Sequence, residues 1–308
     1  MTECESPFSR EILERDLRLL GLKEGDVVLM HSNATSVGRA HDLAKAPDLG
    51  MRWVVEALLN VIGPDGILAV PTFTKTFKSE AEGPTGDTWN PDRTPSRVGS
   101  LTNYILKWPG RARSDHPTHS IAALGRRATE FCAGHSWREG ASSFDWRGPW
   151  GRLVEWGGKI LWLGTGMRTQ TAVHTVEDWM RLPYMATCTA LVEDGVKTIE
   201  VKVTQSPAGP RDFYRKGSKV EMAWLASGLD RAGKVGRADC RLMGAADFIG
   251  WLWKAIIKDP GLLLSDRADD KWSAEAKAKT AEHVRKLGAG EIPPAPPPSI
   301  LLKTGAMR

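Results

Sequence analysis

The residues best suited to chemistry stand close together in Thr171-Ala172-Val173-His174-Thr175-Val176-Glu177. Imidazole is the side chain whose ordinary pKa lies near neutrality, so a histidine can take a proton from a nucleophile and release it again. A carboxylate three residues on shares one flank of a helical turn, where it can hold one ring nitrogen and leave the other free. Asp178, four residues from His174, lies on that side as well and competes for the same role. The spacing also suits a histidine at a helix start beside a solvated glutamate, and only the surrounding chain separates the two readings.

What must position this stretch is a strand. Lys159-Ile160-Leu161-Trp162-Leu163 is apolar enough to be buried, and Gly164-Thr165-Gly166 turns out of it toward His174. Earlier in the chain, residues 8–21 predict an amphipathic helix, with Ser9 as N-cap, Ile12, Leu13, Leu17, Leu19 and Leu20 mostly on one side, and Gly21 as the stop. Val27-Val28-Leu29-Met30 reads as a buried parallel strand, and the polar run His31-Ser32-Asn33-Ala34-Thr35-Ser36-Val37-Gly38 leaves its carboxyl end. Ligands of open α/β sheets collect there. A helix over 51–62, the turn Gly63-Pro64-Asp65-Gly66 and the strand Ile67-Leu68-Ala69-Val70 complete a βαβ unit, which implies a right-handed crossover.

Thr72-Phe73-Thr74 follows, then a long stretch, 78–95, that reads as a loop or lid. Further helices are expected at 99–107 and 128–135, and 144–153 reads as turns. His116 and His119 suggest a metal pair, but Pro117 between them disfavours a regular helix and nothing nearby completes a ligand set, so no metal is expected. Beyond Met185, alternation on either side of Glu193-Asp194-Gly195 predicts a hairpin, followed by an alternating piece at 235–243 and an apolar helix at 245–257. Trp251 and Trp253 there suit packing. From 265 the chain is charged and alanine-rich, and Pro293-Pro294-Ala295-Pro296-Pro297-Pro298 predicts an extended, poorly ordered end. The expectation is one α/β domain over 1–264 and an extension over 265–308.

The 308 residues can bury a full core, and 41% hydrophobic with 26% charged residues fits a globular protein in water. No run of about 18 apolar residues predicts a membrane span. The acidic start Met1-Thr2-Glu3-Cys4-Glu5 predicts no secretory signal, and four scattered cysteines predict reduced thiols, so the expected location is the cytoplasm. A net charge of +5 and a pI near 9.0 suit an anionic ligand, whereas no clustered basic module points to nucleic acid. Oligomeric state is not readable.

Taken in order, several stretches resemble the antibiotic (aminoglycoside 3-)N-acetyltransferase family. They are Gly25-Asp26-Val27-Val28-Leu29-Met30-His31-Ser32, Val54-Val55-Glu56-Ala57-Leu58 with Gly63-Pro64-Asp65-Gly66, Pro71-Thr72-Phe73-Thr74, Arg113-Ser114-Asp115-His116-Pro117 with Ser120, Gly157-Gly158-Lys159-Ile160-Leu161, Thr171-x-x-His174-x-x-Glu177, and Ala238-Asp239-Cys240-Arg241-Leu242. The resemblance runs from about Leu20 to about Ile257. It implies a three-layer α/β/α fold with a mostly parallel central sheet and an antiparallel, hairpin-containing C-terminal part, unlike the commoner acetyltransferase fold. It implies acetyl-coenzyme A as co-substrate and an amine acceptor, by family the 3-amino group of an aminoglycoside antibiotic. It casts His174 as general base, Glu177 as its partner and Thr171 near the thioester. His31, Ser32, Asn33, Ala34, Thr35 and Ser120 would face the coenzyme, and Thr72, His116 and Asp178 the acceptor.

The chemistry is consistent with this. Acylation needs an amine with a free lone pair, so a base that titrates near neutrality is required, and the tetrahedral oxyanion needs donors that a strand-end loop can offer. No cysteine lies in the motifs, which favours direct transfer over an acyl-enzyme. Two features depart from the family pattern. The stretch 39–48 replaces an expected glycine-rich turn with a longer one. Polycationic antibiotics also call for an acidic pocket, which a pI near 9.0 does not suggest, although Glu80, Glu82, Asp87 and Asp92 could contribute one locally. The acceptor could therefore be a less cationic amine. The alternatives are a coenzyme A-binding protein without catalysis and a metallohydrolase using His116, His119 and His174.

Overall fold

The computed structural model describes residues 8–38, 48–74, 76–79, 87–206, 209, 211–267 and 270–306. The stretch 39–47 and the carboxylates Glu80 and Glu82 lie outside the described residues.

Helix α1 (Arg10–Leu20) starts where Ser9 accepts the Ile12 N–H at 3.4 Å, ends at Gly21 in the left-handed conformation, and buries Leu13, Leu17 and Leu20. Strand β1 (Val27–Ser32), helix α2 (Leu49–Ile62) and strand β2 (Ile67–Pro71) form the expected βαβ unit, with β1 and β2 parallel. Two short strands follow, β3 (Phe77–Ser79) and β4 (Thr88–Trp89), then α3 (Ser100–Leu106), β5 (Ala112–Arg113), β6 (Ile121–Leu124) and α4 (Ala128–Cys132). Helix α5 (Pro149–Glu155) leads to β7 (Lys159–Leu163) and α6 (Ala172–Trp179). The expected hairpin is β8 (Ala186–Asp194) and β9 (Lys197–Ser206). The chain then runs through α7 (Lys219–Ser227), β10 (Asp230–Val235), β11 (Ala238–Gly244), α8 (Ala245–Lys258), α9 (Lys271–Gly288) and α10 (Pro298–Thr304).

Among the described residues, seven strands make the central sheet in the order β10-β11-β7-β1-β2-β6-β5. The pairs β7–β1 and β1–β2 are parallel, and the flanking pairs are antiparallel, so five strands point one way while β11 and β6 point the other. Both faces are buried, as the apolar runs require. Val27, Leu29, Ile67, Ala69, Ile160 and Trp162 pack into one core with α4, α5, α6, α8 and α10. Val28, Met30, Leu68, Val70, Leu161 and Leu163 pack into the other with α1, α2 and α3. Alternate side chains of one strand thus serve opposite layers, which is the three-layer α/β/α arrangement.

Three expectations need correction. The 78–95 stretch is not loop throughout, because β3 and β4 pair with β8 and join β9 in a second, four-stranded sheet; strands of three and two residues carry too little alternation to read. The 144–153 stretch contains the start of α5, where Pro149 opens a helix. The C-terminal extension is helical on both sides of its proline run, while Pro297 itself is extended. Asp270 caps α9 by accepting the Ser273 N–H at 2.9 Å, and α9 buries Ala276, Thr280 and Val284 at four-residue intervals. Pro298 sits in the first turn of α10, which buries Ile300 and Leu301 in the core. Alanine-rich sequence and a proline at a helix start favour helix once an apolar surface receives them.

No helix among the described residues is long and apolar enough to cross a membrane. Leu301 is fully buried, so Leu301→Ala should destabilise the fold by about 2–5 kcal/mol. Its check is a lower urea midpoint at unchanged slope, whereas a tail detached from the core would leave the midpoint where it was.

Candidate active site

Three strand ends converge on one cavity of about 250 Å³. Met30, His31 and Ser32 come from β1, Pro71 and Phe73 from the end of β2, and Arg168, Thr169, Gln170, Thr171 and His174 from the segment that follows β7. Phe213 and Tyr214, with Val98 and Thr102, complete the wall. Gly164 allows the approach of β7 to the loop after β1. It has φ of 66°, and a Cβ there would fall 1.6 Å from Ser36 Oγ. The Asn33 N–H donates to the Leu163 carbonyl at 2.8 Å and fixes that contact.

His174 lies in α6, a helix buried along its whole length. Its Nδ1 stands 2.6 Å from Glu177 Oε2, and its Nε2 lies 3.3 Å from the hydroxyl of Tyr214. Glu177 is fully buried. Its other oxygen accepts the Tyr184 O–H at 2.8 Å and lies 3.3 Å from Arg211 Nε, whose guanidinium sits 4.5 Å from the Tyr184 ring centre. Burial by itself would raise the Glu177 pKa. The Arg211 charge, the His174 ring and two hydrogen bonds outweigh it and hold the carboxyl below its usual range. The Tyr184 hydroxyl, by burial first and then by the carboxylate beside it, is pushed well above its ordinary value and stays a donor. Glu177 is therefore an anion that Nδ1 of His174 faces as a donor, and Nε2 lies on the side of Tyr214, a residue of the cavity wall.

His31 is buried with Nε2 3.4 Å from Thr171 Oγ1, and burial pushes its pKa down to about 3, against a hydrogen bond with Gln170. It is a neutral imidazole. Beyond Ser32 the loop closes on itself: Thr35 Oγ1 donates to Asn33 Oδ1 at 2.8 Å and Ser36 Oγ to the Asn33 carbonyl at 2.6 Å. Ala34 and Thr35 open a 3-10 turn over Ala34–Val37, whose first N–H groups have no partner within the turn. Asn33, Ala34 and Thr35 adjoin the cavity wall without lining it.

The other expected contacts stand back from the cavity. The hydroxyls of Thr72 and Ser120 are 2.8 Å apart, and both receive Arg113 Nε at 3.2 Å, so they tie the end of β2 to the start of β6. His116 is fully buried, stacked on His135 at 4.3 Å, and takes the His119 N–H at 3.2 Å. It reaches the cavity only through neighbours, since His119 packs at 4.6 Å on Phe73. Asp178 accepts Ser142 Oγ at 2.6 Å and the Phe144 N–H at 3.1 Å, and lines a different cleft with Asp145 and Arg147. Glu177, and not Asp178, partners His174. Among the described residues no group of three or more His, Cys, Asp or Glu side chains could hold a metal ion.

Sequence reading missed Tyr184, Arg211, Phe213 and Tyr214. The cue was slight, an arginine followed closely by two aromatic residues in a stretch without periodicity. Arg168 and Gln170 follow a strand end and were open to the same rule that marked His31.

The family described as Aminoglycoside 3-N-acetyltransferase matches residues 29–255. The chain belongs to that family. Aminoglycoside N(3)-acetyltransferase IX of Micromonospora chalcea is 29% identical over 78% of the chain and 90% of its own length. Aminoglycoside N(3)-acetyltransferase VII of Streptomyces paromomycinus is 29% identical over 85% of the chain and 97% of its own length. A solved structure described as AAC-IIIb binary with CoASH superposes with a TM-score of 0.69 at 26% identity, over 82% of this chain and 97% of that one. Membership in the aminoglycoside 3-N-acetyltransferases bears out the expected enzyme class, N-acetyltransferase, and acetyl-coenzyme A as its co-substrate.

Asp178 offers a test of the geometry. Burial pushes its carboxyl up to about 7, against the hydrogen bonds from Ser142 and Phe144. A carboxyl with a raised folded pKa keeps its proton longer in the folded state. Its contribution to stability is full below the ordinary carboxyl range and is lost as pH rises through about 7. Asp178→Asn keeps an acceptor for both donors and removes the titration. We expect denaturant midpoints that fall less between pH 4 and 7, with acetyl transfer retained; loss of transfer at unchanged stability would put Asp178 in the reaction.

Proposed function

We propose that the chain transfers the acetyl group of acetyl-coenzyme A directly to a primary amine, with His174 as general base. The observation that carries this reading is the 2.6 Å contact of His174 with a buried, charged Glu177 while His174 lines the cavity and its Nε2 lies 3.3 Å from Tyr214 of the same wall. The amine attacks the thioester carbonyl as Nε2 removes its proton, the tetrahedral intermediate collapses, and the coenzyme leaves as a thiol that takes that proton back. Thr171 and Ser32 offer hydroxyls on the cavity wall, and the first N–H groups of the 3-10 turn beside that wall suit a phosphate. Phe73, Val98 and Phe213 supply apolar surface for the uncharged arm of the thioester. The 3-amino group of an aminoglycoside is the acceptor that the relatives' names give; it enters here as the first acceptor to assay.

Thiol release from acetyl-coenzyme A against a panel of amines tests the reading. His174→Ala should lose at least roughly a hundredfold in turnover, in line with a general base. Glu177→Gln should also fall sharply, because the amide donates no charge to the imidazolium and admits the wrong tautomer. An His174→Ala protein with wild-type turnover would remove the mechanism.

A further inference from the structure

Nε2 of His174 has a protein partner in this structure. With the Glu177 anion 2.6 Å from Nδ1, that nitrogen is the donor of the ring and Nε2 the acceptor, and the hydroxyl 3.3 Å from Nε2 belongs to Tyr214. A phenol keeps its proton at neutral pH. Here burial first and the Glu177 charge second, against the Arg211 charge, push it up to about 12, so Tyr214 is the donor of this contact. The flanks of the imidazole are apolar, with the ring centres of Phe144 and Phe213 each 5.3 Å away.

The segment that carries Tyr214 is fixed at its backbone. Arg211 pairs with Leu264 in an antiparallel bridge, and the Asp212 N–H donates to the Leu263 carbonyl at 3.0 Å. The Asp212 carboxylate accepts Arg215 Nε at 2.8 Å and the Lys219 N–H at 3.2 Å, which closes the turn around Tyr214. Phe213 is buried, and its ring lies 4.2 Å from that of Tyr214. Tyr214 itself is 52% exposed, so its ring can turn about the side-chain bonds while the backbone stays in place.

Acyl transfer puts two demands on this one point. The acceptor nitrogen must come within roughly 2.6–3.2 Å of the base, where the Tyr214 hydroxyl now stands. The carbonyl oxygen beside that nitrogen then gains a negative charge and needs a donor within roughly 2.7–3.1 Å. A hydroxyl displaced from Nε2 by the incoming amine is left a short side-chain rotation from that oxygen, with its proton unused. The Thr171 hydroxyl on the same wall lies beside the other histidine, 3.4 Å from His31 Nε2.

Resting on the general-base reading above, we propose that Tyr214 is a further catalytic residue, which caps Nε2 of His174 in the free protein and donates to the oxyanion once the acceptor amine has taken its place. The amine lone pair forms the carbon–nitrogen bond, the carbonyl π pair moves onto oxygen, and the amine proton goes to Nε2. Tyr214 holds the oxyanion by a hydrogen bond and keeps its own proton. When the carbonyl re-forms, the carbon–sulfur bond breaks with its electron pair on sulfur, and the proton on Nε2 passes to the thiolate. Tyr214 then returns to Nε2.

Thiol release from acetyl-coenzyme A by the full chain, with the aminoglycoside kanamycin as acceptor, tests this. Tyr214→Phe keeps the ring and removes the O–H. Its kcat should fall by roughly a hundredfold, as the loss of one oxyanion donor does, while the KM for acetyl-coenzyme A and the urea midpoint stay as in wild type. A kcat at or above the wild-type value overturns the proposal, because the hydroxyl is then a cap alone. A lower urea midpoint, or a KM for acetyl-coenzyme A that rises as kcat falls, also overturns it and makes Tyr214 a residue of the fold or of the coenzyme site. Tyr214→3,5-difluorotyrosine gives a readout that a structural ring would not move. Its fluorines make the phenol more acidic, so kcat should be lost as pH rises through that lowered pKa, between about pH 7 and 10, where the wild-type phenol keeps its proton. Alkaline limbs that coincide in the two proteins overturn the proposal. The base is decided separately. His174→Ala at wild-type turnover removes the general-base reading, whereas Tyr214→Phe at wild-type kcat removes this proposal and leaves the base in place.

Discussion

The structure around His174 depends on one buried ionic contact, that between Arg211 and Glu177. The Arg211 side chain is 1% exposed and that of Glu177 is 0% exposed, so both charges have left water, at a cost of several kcal/mol per ion after relaxation. A guanidinium does not shed its proton, so the carboxyl has to remain ionised for the arginine to stay where it is. The contact of 3.3 Å is an ion pair without an aligned hydrogen bond, and the faces of Tyr184 and Trp272 lie 4.5 and 5.8 Å from the guanidinium carbon. The anion thereby becomes a fixed feature of the interior. The orientation of His174 follows from it, because an ionised Glu177 commits Nδ1 to donation and turns Nε2 toward Tyr214.

This contact also explains why the C-terminal helices belong to the body of the protein. Trp272 comes from the first turn of α9, and His283 in the same helix donates to the Met180 carbonyl just past α6 at 2.8 Å. The Ala295 N–H donates to the Trp179 carbonyl at 2.8 Å. The helix that carries His174 is thus packed in the core with the sheet strands and tied to the tail. A short helix of eight residues gains little from its own hydrogen bonds and has to be held by packing.

The parts legible in the sequence were those governed by local patterns with one physical cause. The runs Val27–Met30, Ile67–Val70 and Lys159–Leu163 are apolar on both alternations, which only a sheet covered on both faces accepts, and the polar loop at His31 follows from where such strands end. His174 and Glu177 share a helix flank whatever the tertiary context. Arg211, Tyr184 and Tyr214 were not legible, because each reaches the base from a distant segment and their meeting is decided by packing. The choice between Glu177 and Asp178 was open for the same reason, since a helix offers both, and it took Arg211 on one side and Ser142 on the other to divide them. The tail was misread because proline runs and alanine-rich charge describe an isolated chain, whereas Ile300, Leu301 and Val284 meet a core that only the fold supplies.

The charge balance around the imidazole constrains the reaction itself. With His174 neutral, Glu177 and Arg211 cancel, and the buried part of the site carries no net charge. Proton uptake at Nε2 adds one positive charge, and in a low-dielectric interior an isolated charge is costly. On the general-base reading proposed above, the oxyanion of a tetrahedral intermediate would form in the cavity that His174 lines, so imidazolium and oxyanion would offset each other. Glu177 at 2.6 Å would offset an imidazolium on its buried side, between the rings of Phe144 and Phe213. On that general-base reading, proton transfer concerted with carbon–nitrogen bond formation is the route that keeps the imidazolium opposite the oxyanion, with Glu177 on the buried side of the ring.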